Sequence, residues 1–319
     1  MKVLANDGLS KSGENALIAA GFDYLNNRVA QNHLENFINE NQVEVLLVRS
    51  ATQVRAELID ACPSLKIIGR GGVGMDNIDV EYAIEKGLFV INTPNASSRS
   101  VAEMVFAHFF SLARFLHESN RLMPLEGETH FDGLKKAFTK AYELEGKTLG
   151  VIGFGGIGKE VIKMGISLGM KVKVLTRKPK TETISIPFFD GRSIDFEISS
   201  TNNWNEFLKN TTFISINTPK TSEYIIDTPQ FDLMEDGVFI VNTARGGVLN
   251  EQTMLEYIES GKILGAALDV FENEPNPSVN ILMNPALSIT PHLGGNTIDA
   301  QEKIGLELAQ QIIEIKKTL

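Results

Sequence analysis

Three polar side chains in the second half of the chain are of the types that a hydride-transfer reaction needs. Arg245 occurs in the stretch Asn-Thr-Ala-Arg-Gly-Gly, Glu274 directly precedes a proline, and His292 lies in the stretch Pro-His-Leu-Gly-Gly. A guanidinium can hold a substrate carboxylate through two parallel hydrogen bonds. An imidazole can take the proton of a secondary alcohol near neutral pH, and a neighbouring carboxylate can orient it. Together the three side chains indicate oxidation of a 2-hydroxy acid.

A glycine-rich motif supplies the means to bind a dinucleotide. The run Gly-Phe-Gly-Gly-Ile-Gly, from Gly153 to Gly158, follows an apolar stretch and precedes a helical pattern. Gly153 allows a tight turn, Gly155 lets the backbone approach a pyrophosphate, and Gly158 permits close packing of helix on strand. The amides and the dipole at the start of the helix then favour the phosphates. The motif therefore predicts a nicotinamide dinucleotide as the cofactor.

The end of the next predicted strand leaves the choice between NAD and NADP open. A Rossmann domain usually has an acidic residue about 20 residues after the motif, which binds the ribose 2′-hydroxyl. Here Thr176 is followed by Arg177 and Lys178, and no acid occurs before Glu182. A hydroxyl followed by bases suits a 2′-phosphate, but the two bases are equally typical of a solvated turn. We expect NAD, with NADP as a possible cofactor.

Two further arginines end predicted strands in the first third of the chain. Arg49 follows the run Val-Leu-Leu-Val, and Arg70 follows Ile-Ile-Gly. If these strands are neighbours, both guanidiniums reach the edge of the sheet at which open α/β sheets bind ligands. Either arginine alone is more typical of an exposed surface residue, but the pair predicts a site for a phosphate dianion.

The elements that must position these residues alternate between short apolar strands and helical patterns, which predicts parallel sheets covered by helices. The predicted fold class is α/β, with two doubly wound parallel-sheet domains, Rossmann-like or flavodoxin-like, and the active site in the cleft between them. Residues 1–98 with 293–319 form a discontinuous substrate-binding domain, and residues 99–292 form the dinucleotide-binding domain. Strands are predicted at 2–5, 44–48, 66–69, 89–92, 148–152, 171–175, 212–217, 238–242, 266–270 and 288–289.

Two segments depart from this alternation. Residues 183–199 contain two alternating runs around an Asp-Gly pair, so we predict a β-hairpin inserted after the second strand of the dinucleotide-binding domain. Residues 124–145 are polar and rich in Gly, Lys and Glu, which is typical of a linker or an oligomerisation arm that includes a helix. A last helix, at 297–315, is expected to return to the first domain.

Composition restricts the class of protein. The net charge is −10, from 40 acidic and 30 basic residues, which argues against nucleic acid and anionic membranes as partners. The single cysteine, Cys62, is typical of a buried small residue and suits a reducing compartment. The N-terminus lacks the apolar run of a signal peptide, so we expect a cytoplasmic protein. No spacing of Cys and His indicates a metal site.

The sequence resembles the D-2-hydroxyacid dehydrogenase family over almost its whole length, apart from residues 181–200, and within that family it is most similar to the phosphoglycerate dehydrogenases. The stretches that carry the resemblance lie at 48–52, 69–79, 92–95, 242–247 and 269–275. The resemblance implies that a small phosphorylated 2-hydroxy acid, 3-phospho-D-glycerate, is oxidised to 3-phosphohydroxypyruvate. That reaction opens serine biosynthesis. A homodimer is expected.

The resemblance also implies roles for individual residues. It implies that Arg245, Glu274 and His292 form the catalytic trio, and that Arg49 and Arg70 meet the substrate phosphate. The backbone amides expected at the substrate carboxylate are those of Gly72 and Val73. The remaining implied contacts are with the cofactor: Gly156 and Ile157 at the pyrophosphate, and Thr218, Pro219, Thr243, Ala244, Asp269, Gly294 and Gly295 at the nicotinamide and ribose.

Three features depart from the family pattern. Thr176 stands where NAD-using relatives carry Asp, and Asn217 stands where a histidine often precedes Thr-Pro. The sequence ends at Leu319, so we expect no C-terminal regulatory domain and no serine feedback.

Two other functions stay open. One is an NADPH-dependent glyoxylate or hydroxypyruvate reductase, which Thr176 and Arg177 favour. The other is a nicotinamide-gated, corepressor-like binding protein, which the fold and the trio do not exclude.

Overall fold

The computed structural model describes residues 1–319 and contains two compact units. Unit 1 comprises Met1–Ser100 and Gly295–Leu319, and unit 2 comprises Val101–Gly294. Both junctions lie two residues after the predicted boundaries. Each unit is built around its own sheet, which is parallel throughout in unit 1 and parallel apart from one antiparallel pair in unit 2, so the predicted α/β fold class is confirmed.

Unit 1 has a sheet of five parallel strands: β1 (Lys2–Ala5), β2 (Asp23–Leu25), β3 (Val45–Val48), β4 (Ile67–Arg70) and β5 (Phe89–Asn92). Their order is β2-β1-β3-β4-β5, the flavodoxin-like arrangement, which reverses between β1 and β3. The helices of this unit are α1 (Lys11–Ala19), α2 (Gln31–Asn41), α3 (Ala56–Ala61), α4 (Val80–Glu85) and α12 (Ile298–Lys316). The last helix packs against α1, as predicted for a segment that returns to the first domain.

Successive residues of the unit 1 strands enter different hydrophobic cores. In β3, Leu46 joins a core with Leu34 and Ile38 of α2, whereas Val45 joins a core with Ile312 of α12. Side chains alternate between the two faces of a strand, so both faces of this sheet are covered. A parallel sheet that is buried on both faces has near-continuous apolar strands. This explains why the sequence predicts strands at β1 and β3.

Unit 2 has a sheet of eight strands: β6 (Thr148–Ile152), β7 (Lys171–Leu175), β8 (Thr181–Pro187), β9 (Ser193–Thr201), β10 (Phe213–Ile216), β11 (Val238–Asn242), β12 (Ile263–Leu268) and β13 (Leu287–Ile289). Their order is β13-β12-β11-β10-β6-β7-β9-β8. This is the Rossmann arrangement with extra strands at both edges, and the order reverses between β6 and β10. The helices are α5 (Ser98–Ala113), α6 (Leu116–Ala137), α7 (Gly156–Ser167), α8 (Trp204–Leu208), α9 (Thr228–Leu233), α10 (Glu251–Glu259) and α11 (Val279–Leu282).

The inserted hairpin extends one edge of the unit 2 sheet. Strands β8 and β9 pair in an antiparallel manner over the segment where the sequence predicts a hairpin, and β9 also pairs in parallel with the end of β7. Every other pairing in this sheet is parallel. The hairpin therefore begins directly after the strand end at which a Rossmann domain binds the adenosine ribose.

Helix α6 covers the first part of the predicted arm at 124–145, but it begins at Leu116 and ends at Ala137. Helix α6 contains Pro124, and the backbone of His130 departs from helical geometry within it. Leu125 is 79% exposed and Phe131 is 58% exposed, which is unusual for large apolar residues on a helix. None of the helices in the structure combines the length and the apolar character needed to cross a membrane.

Candidate active site

Glu274 and His292 form a hydrogen-bonded pair in unit 2. His292 Nδ1 lies 3.0 Å from Glu274 Oε2, and the other carboxylate oxygen accepts the Phe271 amide at 2.9 Å. The side chain of His292 is 49% exposed and that of Glu274 is 37% exposed, so substrate can reach them. Because a carboxylate only accepts, the imidazole must donate from Nδ1. Nε2 is therefore the nitrogen that can exchange a proton with a substrate.

Electrostatics keep this carboxyl ionised. Burial is the largest influence on Glu274 and by itself raises its pKa. The hydrogen bonds from His292 and from the Phe271 amide, with the charges of His292 and Arg245, outweigh burial and bring the pKa below its ordinary value. An ionised carboxylate at Nδ1 stabilises the imidazolium that forms when Nε2 takes a proton.

The loop that carries His292 is organised by a buried carboxylate. Asp269 follows β12 and is 1% exposed. Its Oδ1 accepts hydrogen bonds from Thr290 Oγ1 at 2.6 Å and from the Leu293 amide at 2.7 Å, and its Oδ2 accepts the Gly294 amide at 2.8 Å. These bonds flank His292, whose φ of 55° lies in the left-handed region. Asp269, predicted to bind the cofactor, uses both oxygens to hold this loop.

Arg245 lies in a tight turn after β11. The Asn242 side chain spans this turn, since its Oδ1 accepts the Ala244 amide and its Nδ2 donates to the Arg245 carbonyl, both at 3.0 Å. Arg245 Nη1 donates to the Ala244 carbonyl at 2.7 Å. The next residue, Gly246, packs so closely on the Phe271 backbone that a Cβ would lie 1.8 Å from the Phe271 oxygen. This contact brings the turn of Arg245 against the loop of Glu274.

A pocket of about 520 Å³ opens beside the Glu274–His292 pair. Its other walls are mainly apolar and include Phe271, Leu282 and Ile289. The volume lies within the usual range of small-molecule pockets. No lysine or arginine lines the pocket, so a phosphate on the substrate would need its cationic partners elsewhere in the chain.

The glycine motif has the geometry that dinucleotide binding requires. Gly153 has a φ of 101°, and a Cβ there would lie 2.3 Å from the Asn217 carbonyl oxygen. A Cβ on Gly158 would lie 2.1 Å from the Gly153 carbonyl oxygen, whereas one on Gly155 would meet nothing within 4 Å. The first and third glycines thus allow close packing, and the second faces open space. Gly156 is the first residue of α7, where amides face a phosphate.

Buried oxygens without a protein partner lie at the neighbouring strand ends. They are Oδ1 of Asn217 and Oγ1 of Thr218, after β10, and Oγ1 of Thr243, after β11. Buried polar atoms in native structures nearly always have a partner. The amide and ribose hydroxyls of a nicotinamide nucleotide offer the missing partners, so the residues present fit this cofactor.

The adenosine end of the predicted site contains cations that the sequence reading did not single out. Thr176 Oγ1 donates to the Lys178 carbonyl at 3.0 Å, and Arg177 is exposed. Lys180 Nζ donates to the Phe154 carbonyl of the glycine motif at 3.3 Å and pairs with Glu182. Lys159 pairs with the same carboxylate, and both lysines lie over the Phe154 ring. The hydrogen bonds from the two lysines lower the pKa of Glu182.

The predicted substrate residues of unit 1 meet at one turn. Strands β3 and β4 are parallel neighbours, with Val48 opposite Arg70, so Arg49 and Arg70 end adjacent strands. A Cβ on Gly71 would lie 3.6 Å from Arg49 Cγ, and one on Gly72 would lie 2.2 Å from Arg70 Nη1. Both arginine side chains thus lie against the turn that follows β4.

The two backbone amides implied at the substrate carboxylate also lie in this turn, at Gly72 and Val73. The Gly72 amide donates to Thr93 Oγ1 at 2.8 Å. A substrate carboxylate at Gly72 would compete with this hydrogen bond.

Comparison with known proteins shows the family of this chain. Residues 106–294 match the NAD binding domain of the D-isomer specific 2-hydroxyacid dehydrogenases. The chain belongs to this family. It is therefore a nicotinamide-dependent oxidoreductase, which confirms the resemblance noted in the sequence. The matched region lies within unit 2 and contains the glycine motif, Arg245, Glu274 and His292.

Individual members of the D-2-hydroxyacid dehydrogenase family differ in length and in the substrate that they are named for. A hydroxypyruvate reductase from Thermotoga maritima is 38% identical over 98% of this chain and 97% of its own length. A D-3-phosphoglycerate dehydrogenase from Bacillus subtilis is 34% identical over 100% of this chain, which spans only 57% of that protein. The crystal structure of the TT0316 protein from Thermus thermophilus matches with a TM-score of 0.82 at 25% identity, covering 100% of this chain and 97% of that one.

The sequence did not predict three residues whose contacts arrange the candidate site, which are Asn242, Phe271 and Thr290. Asn242 could have been recognised, because Asn at a strand end followed by small residues is typical of a side-chain-capped turn. Thr290 and Phe271 carry no such local signal, since their partners Asp269 and Gly246 are more than 20 residues away.

Proposed function

We propose that this dehydrogenase oxidises 3-phospho-D-glycerate to 3-phosphohydroxypyruvate, the first step of serine biosynthesis. The observation that carries the proposal is the pair Arg49 and Arg70 at the ends of adjacent parallel strands in unit 1. Two guanidiniums at one turn suit a phosphate dianion, which arginine binds in bidentate geometry. No lysine or arginine lines the pocket beside Glu274 and His292, so the phosphate partners must come from elsewhere in the chain.

The trio in unit 2 supports the chemical step. A bound nicotinamide supplies the hydride acceptor. In the proposed reaction His292 Nε2 removes the proton of the substrate 2-hydroxyl while the hydrogen on C2 leaves as hydride, so that the C–O bond becomes a carbonyl. Glu274, ionised and bonded to Nδ1, stabilises the imidazolium. Arg245 holds the substrate carboxylate, which restricts the motion of C2 during transfer.

A second candidate is the reduction of hydroxypyruvate or glyoxylate. It is favoured by sequence similarity, because the Thermotoga hydroxypyruvate reductase is 38% identical to this chain whereas the Bacillus phosphoglycerate dehydrogenase is 34% identical. In that function the same trio would work in the reducing direction, and the substrate would carry no phosphate. Arg49 and Arg70 would then have no ligand to bind.

Specificity constants separate the two candidates. The experiment measures kcat/KM for 3-phosphohydroxypyruvate, hydroxypyruvate and glyoxylate in the wild type and in Arg49→Ala, Arg70→Ala and Arg192→Ala. Arg192 lies at the hairpin tip, is 84% exposed and pairs with Asp190, so it controls for the loss of one charge.

The first two variants should lower the preference for the phosphorylated substrate by about tenfold or more each, the expected cost of one charge-assisted contact. The control should leave the preference unchanged. An unaltered ratio in Arg49→Ala and Arg70→Ala, or a wild type that prefers hydroxypyruvate, would reject the phosphoglycerate proposal in favour of the reductase.

We further propose that the protein is a homodimer that uses the apolar residues of α6. Leu116, Met123, Leu125 and Phe131 of this helix are all more than 40% exposed. Large exposed apolar patches usually mark association sites. Light scattering should give twice the chain mass for the wild type. Leu125→Lys should shift it toward the monomer, and an unchanged mass in that variant would place the contact elsewhere.

A further inference from the structure

A buried histidine outside the predicted site is connected to the loop that carries His292. His108 lies in α5 and is 3% exposed. Its Nδ1 is 3.0 Å from Ser288 Oγ, and its Nε2 is 3.1 Å from Thr290 Oγ1. The Thr290 hydroxyl is also 2.6 Å from Asp269 Oδ1. A chain of hydrogen bonds therefore runs from His108 through Thr290 to the carboxylate of Asp269.

The direction of these hydrogen bonds follows from the carboxylate. Asp269 can only accept, so Thr290 must give its single hydroxyl hydrogen to Asp269. The Thr290 oxygen can then only accept from the imidazole, which requires a proton on His108 Nε2. Burial is the largest influence on His108 and lowers its pKa, so the ring is neutral and its single proton lies on Nε2. Ser288 Oγ lies 3.0 Å from the unprotonated Nδ1 and donates to Ser111 Oγ at 3.2 Å.

Asp269, at the end of this chain of hydrogen bonds, determines the conformation of the loop that carries His292. Asp269 accepts the Leu293 and Gly294 amides as well as the Thr290 hydroxyl, so it is bonded on both sides of His292. A left-handed backbone such as that of His292 is strained for a non-glycine residue and needs surrounding contacts to persist. The orientation of the Asp269 carboxylate depends on all three donors, and His108 fixes the rotamer of one of them.

We propose that His108 is a positioning residue for His292, acting through Thr290 and Asp269 from a helix that contributes nothing to the pocket. The inference rests on the proposed role of His292 as the acid–base group. It predicts that the bond from Nε2 to Thr290 matters for turnover, and that the bond at Nδ1 to Ser288 does not.

Two amide substitutions separate the two bonds. The side-chain amide of Gln reaches about as far as Nε2 of histidine, so His108→Gln keeps a donor for Thr290. The shorter amide of Asn reaches only the Nδ1 position, so His108→Asn keeps the Ser288 contact and loses Thr290. We expect His108→Asn to lower kcat about 10- to 100-fold, the effect of a small displacement of a reacting group, and His108→Gln to stay within about threefold of wild type. KM and the affinity for NADH, measured by fluorescence, should change less than twofold in both.

Further variants distinguish a loss of positioning from a loss of folding. Ser288→Ala removes the bond at Nδ1 and should destabilise the protein without lowering kcat. Thr290→Val breaks the chain while leaving His108 in place and should reproduce the kcat loss of His108→Asn, whereas Thr290→Ser should not. Melting temperatures measured for every variant show whether lost turnover merely follows lost stability.

The outcomes distinguish this inference from the proposed function. If His292→Ala is inactive and His108→Asn turns over normally, or if the Gln and Asn variants lose equal activity, the positioning role of His108 is overturned and the role of His292 stands. If His292→Ala keeps wild-type turnover, both are overturned. Selective loss of kcat in His108→Asn and Thr290→Val supports the inference.

Discussion

Gly246→Ala tests whether the turn of Arg245 must lie directly against the loop of Glu274. An alanine Cβ would lie 1.8 Å from the Phe271 carbonyl oxygen, 2.3 Å from its carbonyl carbon and 2.8 Å from the Glu272 nitrogen. All three are backbone atoms, so no side-chain rotation relieves the overlap. Moving the closest contact from 1.8 Å to the shortest tolerated separation of 3.0 Å requires the two loops to part by about 1.2 Å.

The predicted result is a loss of turnover that exceeds the loss of stability. Gly246 directly follows Arg245, and the Phe271 amide is bonded to Glu274, so the separation displaces the guanidinium from the Glu274–His292 pair. A misplacement of about 1 Å at a reacting centre can cost about 100-fold in rate. We therefore expect kcat/KM of Gly246→Ala to fall about 100-fold.

The assay compares steady-state turnover and melting temperature with those of Gly261→Ala. Gly261 has a φ of 80°, and a Cβ there would meet nothing within 4 Å. That control should lose about 1–2 kcal/mol of stability to backbone strain and keep full activity. If Gly246→Ala folds and turns over within threefold of wild type, the close approach of the two loops is not needed for catalysis.

Three other substitutions test separate parts of the site. His292→Ala should lower kcat about 10²- to 10⁴-fold, the usual contribution of a positioned acid–base group, measured by cofactor absorbance. Thr176→Asp should shift the ratio of the dissociation constants for NADPH and NADH toward NADH, because a carboxylate binds the ribose hydroxyls and repels a 2′-phosphate. Glu251→Gln should raise the melting temperature at pH 8 by at least about 2 °C and much less at pH 5. Burial is the main cause that raises the pKa of Glu251 from 4.5 to about 7. The stability that protonated Glu251 contributes to the folded protein is therefore lost as pH rises through 7, whereas a glutamine, which stays neutral, retains it.

Each of these expectations has an opposing result. Near-normal kcat in His292→Ala would remove this residue from the chemistry. A wild type that already rejects NADPH as strongly as Thr176→Asp does would show that residues 176–178 do not set the cofactor preference, and the β8–β9 hairpin would be tested next. An equal gain or no gain for Glu251→Gln at both pH values would show that Glu251 does not titrate in this range.

Strands β6 and β11 were predictable because they are largely apolar and fully buried, and their bounds, Thr148–Ile152 and Val238–Asn242, agree with prediction. The bounds of Phe89–Asn92 and Lys171–Leu175 also agree with prediction, although these two strands are only partly buried. Strand β2 was missed, since Asp23–Leu25 is a three-residue edge strand that begins with an exposed acid. Helix α2 was missed because it buries only Leu34 and Ile38 within a polar stretch.

The candidate site likewise has a part that the sequence predicts and a part that it does not. The glycine motif and the three residues Arg245, Glu274 and His292 each lie in a short local pattern, so their chemistry could be inferred before any fold was known. The contacts that arrange them are long-range: His108 reaches Thr290 across 182 residues of chain. No local pattern marks such a pair, because its partners become neighbours only after α5 packs near the end of β13.

Hydride transfer from labelled substrate tests the central proposal most directly. The wild type is incubated with NAD and 3-phospho-D-glycerate that carries deuterium at C2, and the reduced cofactor is analysed by mass spectrometry. The proposed function predicts that the NADH becomes deuterated in proportion to 3-phosphohydroxypyruvate formed, and that His292→Ala slows the transfer about 10²- to 10⁴-fold. Unlabelled NADH, or no reaction in an enzyme that readily reduces hydroxypyruvate, would contradict it.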